Sequence, residues 1–151
     1  MKRVLFVSTG NSCRSPIAEG IANHHLKNKL EAFSAGVDAS EIHPYAIKVL
    51  EEIGIDTSQM KVNNVDDFRD QEFDYIITLC DVARESCPVF WTQGEAVYEH
   101  FNYPDPSRYE GTDEQRIDHF RGLRDQIEMK LMEYFEQLPE NKIPQQKSFI
   151  F

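Results

Sequence analysis

The chain has 151 residues, of which 40% are hydrophobic and 28% charged, and a formal net charge of −10. That size and balance suit one soluble domain with a real core, and the acidity argues against a nucleic-acid face, which needs a basic surface. No apolar run approaches the ~18 residues of a membrane span, and no charged leader precedes an apolar segment in the manner of a signal peptide, so a cytoplasmic location is expected.

Residues 3–8, RVLFVS, form a short apolar, β-branched run and read as a buried strand. Ser15 followed by Pro16 reads as a helix cap and first position. That helix carries Ile17, Ala18, Ile21, Ala22 and Leu26 on one side and is expected to fade near Leu30. Residues 32–37, AFSAGV, read as a second strand ending in a glycine turn. His43-Pro44 opens a helix with Ile47, Val49, Leu50 and Ile53, closed by Gly54. Residues 73–79, FDYIITL, are the clearest strand, and 96–101, AVYEHF, a weaker one. Residues 113–138 hold Ile117, Phe120, Leu123, Ile127, Leu131, Met132 and Phe135 at helical spacing.

Alternation of strands and helices implies an α/β fold: a single-domain, doubly wound, four-stranded parallel sheet with helices on both faces. The domain is expected over residues 1–138, with a loosely ordered tail at 139–151. Such sheets bind ligands beyond the carboxyl ends of their strands. Three segments then share one rim: 8–15, 80–88 and 103–109.

Thr9, Gly10, Asn11, Ser12, Cys13, Arg14 and Ser15 lead from the first strand into the first helix. Successive backbone N–H groups entering a helix N-terminus make an anion cradle. Gly10 allows close approach, Asn11 tolerates a left-handed backbone, and Arg14 offers a planar fork to two oxygens of a tetrahedral anion. The alternative is an ordinary turn with an N-cap serine. Three cysteines, Cys13, Cys80 and Cys87, are too few for a secreted disulfide framework. In a reducing compartment a pair that oxidises would be catalytic, whereas unpaired cysteines are commonly small buried apolar residues.

The segment from Ser8 to Ser15 resembles the phosphate loop of the low-molecular-weight protein tyrosine phosphatase fold: Cys, any five residues, Arg, Ser. "TLCDVARESCP" (78–88) and "DPSRYEGTDEQ" (105–115) resemble the thioredoxin-coupled arsenate reductases that share this fold. The likeness runs from residue 3 to about 138. It implies a relay in which a thiolate at position 8 attacks arsenate, and Asp105 protonates the departing oxygen. Cys80 then attacks the sulfur at position 8, and Cys87 moves the disulfide to 80–87 for thioredoxin to reduce. Seven residues of ideal helix cover ~10.5 Å, whereas a disulfide wants Cα atoms within ~7 Å, so a helical 81–87 would have to unwind. No organic cofactor is implied, and a monomer is expected.

Position 8, however, is serine. The retained Cys80, Cys87, Arg14 and Asp105 favour a deliberate Cys-to-Ser replacement over a relative that has lost its nucleophile. As written, the chain should bind an oxyanion without starting the reaction. Cys13 reads as a packed loop residue. Some reductases of this family hold potassium beside the loop; the matching positions are Asn11, Glu19 and Ser34, with Asn63 where the acidic partner usually stands. The plainer alternative is that Glu19 and Ser34 hydrogen-bond to fix the loop. The competing functions are a low-molecular-weight tyrosine phosphatase and a non-enzymatic oxyanion-binding or redox-partner module. Ser107-Arg108 after Asp105-Pro106 stand against the phosphatase, where tyrosines commonly hold the substrate ring. The histidines 24, 25, 43, 100 and 119 read as surface or cap residues, and Phe90, Trp91, Tyr98, Phe101 and Tyr103 as core and lid packing.

Overall fold

A computed structural model describes residues 1–81, 83 and 95–138. Its elements are β1 (Lys2–Ser8), α1 (Arg14–His25), β2 (Leu30–Gly36), α2 (Pro44–Glu51), β3 (Tyr75–Thr78), β4 (Val97–His100) and α3 (Asp113–Tyr134). Short 3₁₀ turns occupy Val65–Phe68 and Pro106–Arg108. The sheet is wholly parallel in the order β2-β1-β3-β4. Cys87, Phe90, Trp91 and the expected tail lie outside the described residues, as does most of the 81–87 segment.

β1 is central and buried on both sides, which is why it reads as a continuous apolar run. Val4 and Phe6 face a core shared with α1, α2 and α3, while Leu5 and Val7 face a second cluster with Val65, Phe68, Phe73, Ile76, Cys80 and Ala83. All four β1 side chains are fully buried, each stabilising the fold by ~1.5–3 kcal/mol. Phe33, Phe68 and Phe73 meet edge-to-face at 5.7–5.8 Å in the second cluster.

Three boundaries differ from the sequence expectation. α1 begins at Arg14, with Cys13 in the cap position and no side-chain cap bond, so Ser15 lies inside the first turn. Ser-Pro looks like a cap, but the Ser15 hydroxyl is engaged by the loop instead. α1 ends at His25, and Leu30 opens β2 opposite Lys2. Leu26 and Leu30 share helical spacing, yet Leu30 is buried as the first core residue of a strand. α3 stops at Tyr134 rather than 138. It starts on a capping box, in which Gln115 N–H donates to the Thr112 hydroxyl and Thr112 N–H to the Gln115 side chain.

Parallel register fixes the rim. Ser8 pairs with Gly36, Val7 with Thr78, and Thr78 with His100. The loop after β1, the residues after β3 and those after β4 therefore emerge at one edge.

Candidate active site

The loop after β1 is held by its carbonyls. Those of Ser8, Thr9, Gly10 and Ser12 accept from the amides of Val37, Asp38, Ser40 and His43 at 2.8–3.1 Å. Peptide planarity turns the opposite, amide edge away from these partners and toward the hollow of the loop. Asn11 takes the left-handed conformation (φ 52°) that lets the chain curl there. Gly36 lets the β2 end pack closely on this loop. A Cβ on Gly36 would stand 2.7 Å from the Asn11 nitrogen and 2.8 Å from the Thr9 carbonyl oxygen.

Ser8 is buried, and its hydroxyl lies 2.5 Å from that of Ser15. The Asn11 side-chain NH₂ donates to Ser15 and Ser34 at 2.9 Å each, and its carbonyl accepts from the Asn63 amide at 2.8 Å. Ser34 in turn donates to Glu19. The donor set expected for potassium is thus closed on itself by hydrogen bonds. Asn11 presents NH₂ rather than oxygen to Ser34, and Asn63 spends its own NH₂ on the Ser34 carbonyl at 3.2 Å. These hydrogen bonds cross-brace the loop.

Burial pushes the Glu19 carboxyl up to about 7, the Ser34 bond opposing this only in part. The folded state therefore keeps a proton that the unfolded chain loses near ~4.3. Stability falls as pH rises through that window and levels off above it. Glu19→Gln is expected to flatten the fall and to gain on the order of 1–2 kcal/mol above neutrality. Urea unfolding at pH 5 and pH 8 checks this; a variant that keeps the wild-type slope refutes it.

Arg14 is 8% exposed. One guanidinium nitrogen donates to the Tyr103 carbonyl at 3.0 Å, whereas Nε is buried with no hydrogen-bond partner among the described residues. An orphaned buried donor beside an amide-lined loop is a place for an anion. Arg14→Lys keeps the charge but loses the fork. Phosphate affinity, measured by calorimetry, is expected to drop roughly 10- to 100-fold. Unchanged affinity would remove Arg14 from the site.

Asp105 caps the Pro106–Arg108 turn, accepting from the Ser107 amide at 3.0 Å and its hydroxyl at 2.7 Å, and lies near enough to feel the charge of Arg14. Partial burial favours the protonated acid. The Ser107 bonds, then the charges of Arg14 and Arg108, outweigh it and hold the carboxyl below its usual range. Asp105 is therefore ionised near neutrality.

Cys80 is buried at the end of β3, its Sγ 3.2 Å from the Thr9 hydroxyl. That contact sets Cys80 against the loop after β1. Cys13 is 3% exposed and part of the first core cluster, and burial pushes its thiol up to about 11. It is a packing residue, as expected. Both described cysteines are free thiols. His43 caps α2, its Nδ1 accepting from Tyr45 N–H at 3.0 Å, and Tyr98 packs on the second cluster. His100 is not an isolated surface group: it joins Thr78 and Asp81 at 2.8 and 3.0 Å.

The family model described as low molecular weight phosphotyrosine protein phosphatase matches residues 3–144. An arsenate reductase of Halalkalibacterium halodurans is 38% identical over 135 residues, spanning 89% of this chain and 96% of that protein. A solved arsenate reductase in its oxidized state superposes with a TM-score of 0.77 at 30% identity, covering 92% of this chain and 100% of that one. Another, in a phosphate-binding state, gives 0.73 at 32% identity with the same coverage. Among the described residues, no helix is long and apolar enough to cross a membrane.

Proposed function

The chain belongs to the low molecular weight phosphotyrosine protein phosphatase family, and from that membership we propose that its site is built to reduce arsenate to arsenite by thiol chemistry. The observation that carries the reading is Cys80 Sγ against Thr9, the residue next to position 8. A phosphatase has no use for a thiol there.

The proposed steps are those that the family resemblance implies. Arsenate sits on the loop amides, with two oxygens on the free edge of Arg14. A thiolate at position 8 attacks arsenic; an As–S bond forms, an As–O bond breaks, and Asp105 delivers the proton that lets the oxygen leave as water. Asp105 is ionised on its own, so it must gain that proton when the anion binds. An added negative charge nearby pushes its carboxyl up, in the required direction. The Cys80 thiolate then attacks the sulfur at position 8. An S–S bond forms, the As–S bond breaks, and its electron pair reduces As(V) to As(III), releasing arsenite. Cys87 attacks Cys80, freeing position 8, and an external dithiol reduces the 80–87 disulfide. Two cysteines beyond position 8 suit thioredoxin as that dithiol. The balance is arsenate plus a dithiol giving arsenite, water and a disulfide.

With serine at position 8 the first step does not occur. Among the described residues, the Ser8 hydroxyl has only the Ser15 hydroxyl as its hydrogen-bonded neighbour, and a hydroxyl is no base. The chain as it stands is thus an oxyanion binder in a reductase scaffold. Titration with phosphate and arsenate, followed by an arsenite assay of the Ser8→Cys variant with thioredoxin, tests the reading. Anion binding without arsenite release would leave a binding module or a phosphatase.

A further inference from the structure

The chain following Cys80 is tied down from an unexpected quarter. His100, the last residue of β4, bridges two groups of the β3 end. Its Nδ1 lies 2.8 Å from the hydroxyl of Thr78, and its Nε2 lies 3.0 Å from Oδ1 of Asp81. Thr78 is fully buried, and the His100 side chain is 17% exposed. One neutral tautomer satisfies both contacts: the Thr78 hydroxyl donates to Nδ1, and Nε2–H donates to the carboxylate. A threonine, a histidine and an aspartate in line suggest a nucleophilic triad, but a fully buried Thr78 cannot reach a substrate. The bridge instead fixes position. Thr78 and Asp81 flank Leu79 and Cys80. Leu79 is pinned on both sides, its N–H donating to Val7 and its carbonyl accepting from Tyr103 N–H at 2.9 Å each. His100 adds the brace on the far side of Cys80.

We propose that His100 is a positioning residue for Cys80, bolting Asp81 to the β3 end so that the thiol is held against Thr9 and out of solvent. If the reductase reading holds, on which this second part rests, the brace sets the approach of Cys80 to the sulfur at position 8. Unbracing should then have opposite effects: Cys80 becomes easier for a small reagent to reach and worse at its own reaction.

The first arm uses the chain as it stands. His100→Ala is expected to raise the alkylation rate of Cys80 by iodoacetamide roughly tenfold, followed residue by residue by mass spectrometry, while Cys13, buried in the other core cluster, reacts no faster. Asp81→Ala should do the same. His100→Gln, which keeps a donor near the Nε2 position, should restore slow alkylation, whereas His100→Asn, which keeps only the Thr78 contact, should not. Parallel gains at Cys80 and Cys13 would mean general loosening and overturn the proposal, as would no gain at Cys80. The second arm adds Ser8→Cys. There His100→Ala should slow arsenite release roughly 10- to 100-fold at unchanged phosphate affinity. Unchanged arsenite release overturns the catalytic half. If the Ser8→Cys parent releases no arsenite at all, the reductase reading fails, and the alkylation arm still decides the brace.

Discussion

Ser8→Cys is expected to turn a chain that only binds oxyanions into one that releases arsenite, a gain on the order of 10⁴- to 10⁶-fold over the serine protein, the scale on which loss of an enzyme nucleophile is felt. The reason lies in what surrounds position 8. A serine alcohol stays protonated in this pocket, and the group within hydrogen-bond reach is another hydroxyl. A thiol in the same place meets an environment made for an anion. The first turn of α1 carries no side-chain cap, so its amides are free to face negative charge. Arg14 brings a full positive charge, with its buried Nε unspent among the described residues. The Ser15 hydroxyl, released from Ser8, can donate to sulfur, and Asn11 holds it in place. Such surroundings take a cysteine pKa from ~8.5 into the range of roughly 3.5–7.5. Two measurements check the chain of cause. The ultraviolet absorbance of the new thiolate should titrate below neutrality, and arsenite should appear in step with thioredoxin oxidation. A thiol titrating near its free value would show that the loop does not stabilise an anion. A low pKa without arsenite would leave the cradle intact and sink the relay.

The sheet was legible because a parallel strand buried on both faces advertises itself. RVLFVS lies within β1 and FDYIITL contains β3, with errors of one or two residues at their ends, and Arg14 and Cys80 follow the carboxyl ends of those strands. Illegible were the features made by distant parts of the chain. Gly36 looks like a simple turn glycine, and nothing local says that the anion loop packs on it at 2.7–2.8 Å. The free edge of Arg14 exists because the Tyr103 carbonyl, 89 positions away, takes the other edge. His100 reads as a lone histidine because its partners are 22 and 19 residues back, and only the pairing of β3 with β4 brings them to it. Asn63 was visible as a departure from an acidic residue. Its consequence, a hydrogen-bonded brace running through Asn11 and Ser34 to Glu19, needed coordinates. The cap of α1 misled for a related reason: Ser15 has the chemistry of a cap but finds better partners inside the loop.

Removing Cys80 from the Ser8→Cys protein should separate the two chemistries that this family's loop could support. Cys80→Ala is expected to lower arsenite release by at least about a thousandfold, because the electron pair that reduces arsenic comes from attack at the position-8 sulfur and no other described thiol can supply it. Cys13, the one other described cysteine, sits in the opposite core cluster with its thiol pushed up to about 11 by burial. Hydrolysis of an aryl phosphate needs only the position-8 thiolate, Arg14, Asp105 and water, so it should survive within about twofold. Alanine suits the site. Cys80 packs among apolar residues of the second cluster, and losing one buried sulfur there costs about 1 kcal/mol, too little to unfold a domain of this size. Both rates come from one preparation, which makes each the control for the other. Should both collapse together, Cys80 matters for packing and the thiol has no chemical role. If both persist, arsenite is formed by a route that bypasses Cys80. With aryl phosphate turnover retained and arsenite lost, added arsenate should no longer drive thioredoxin oxidation, because water returns the position-8 adduct to arsenate and free thiol.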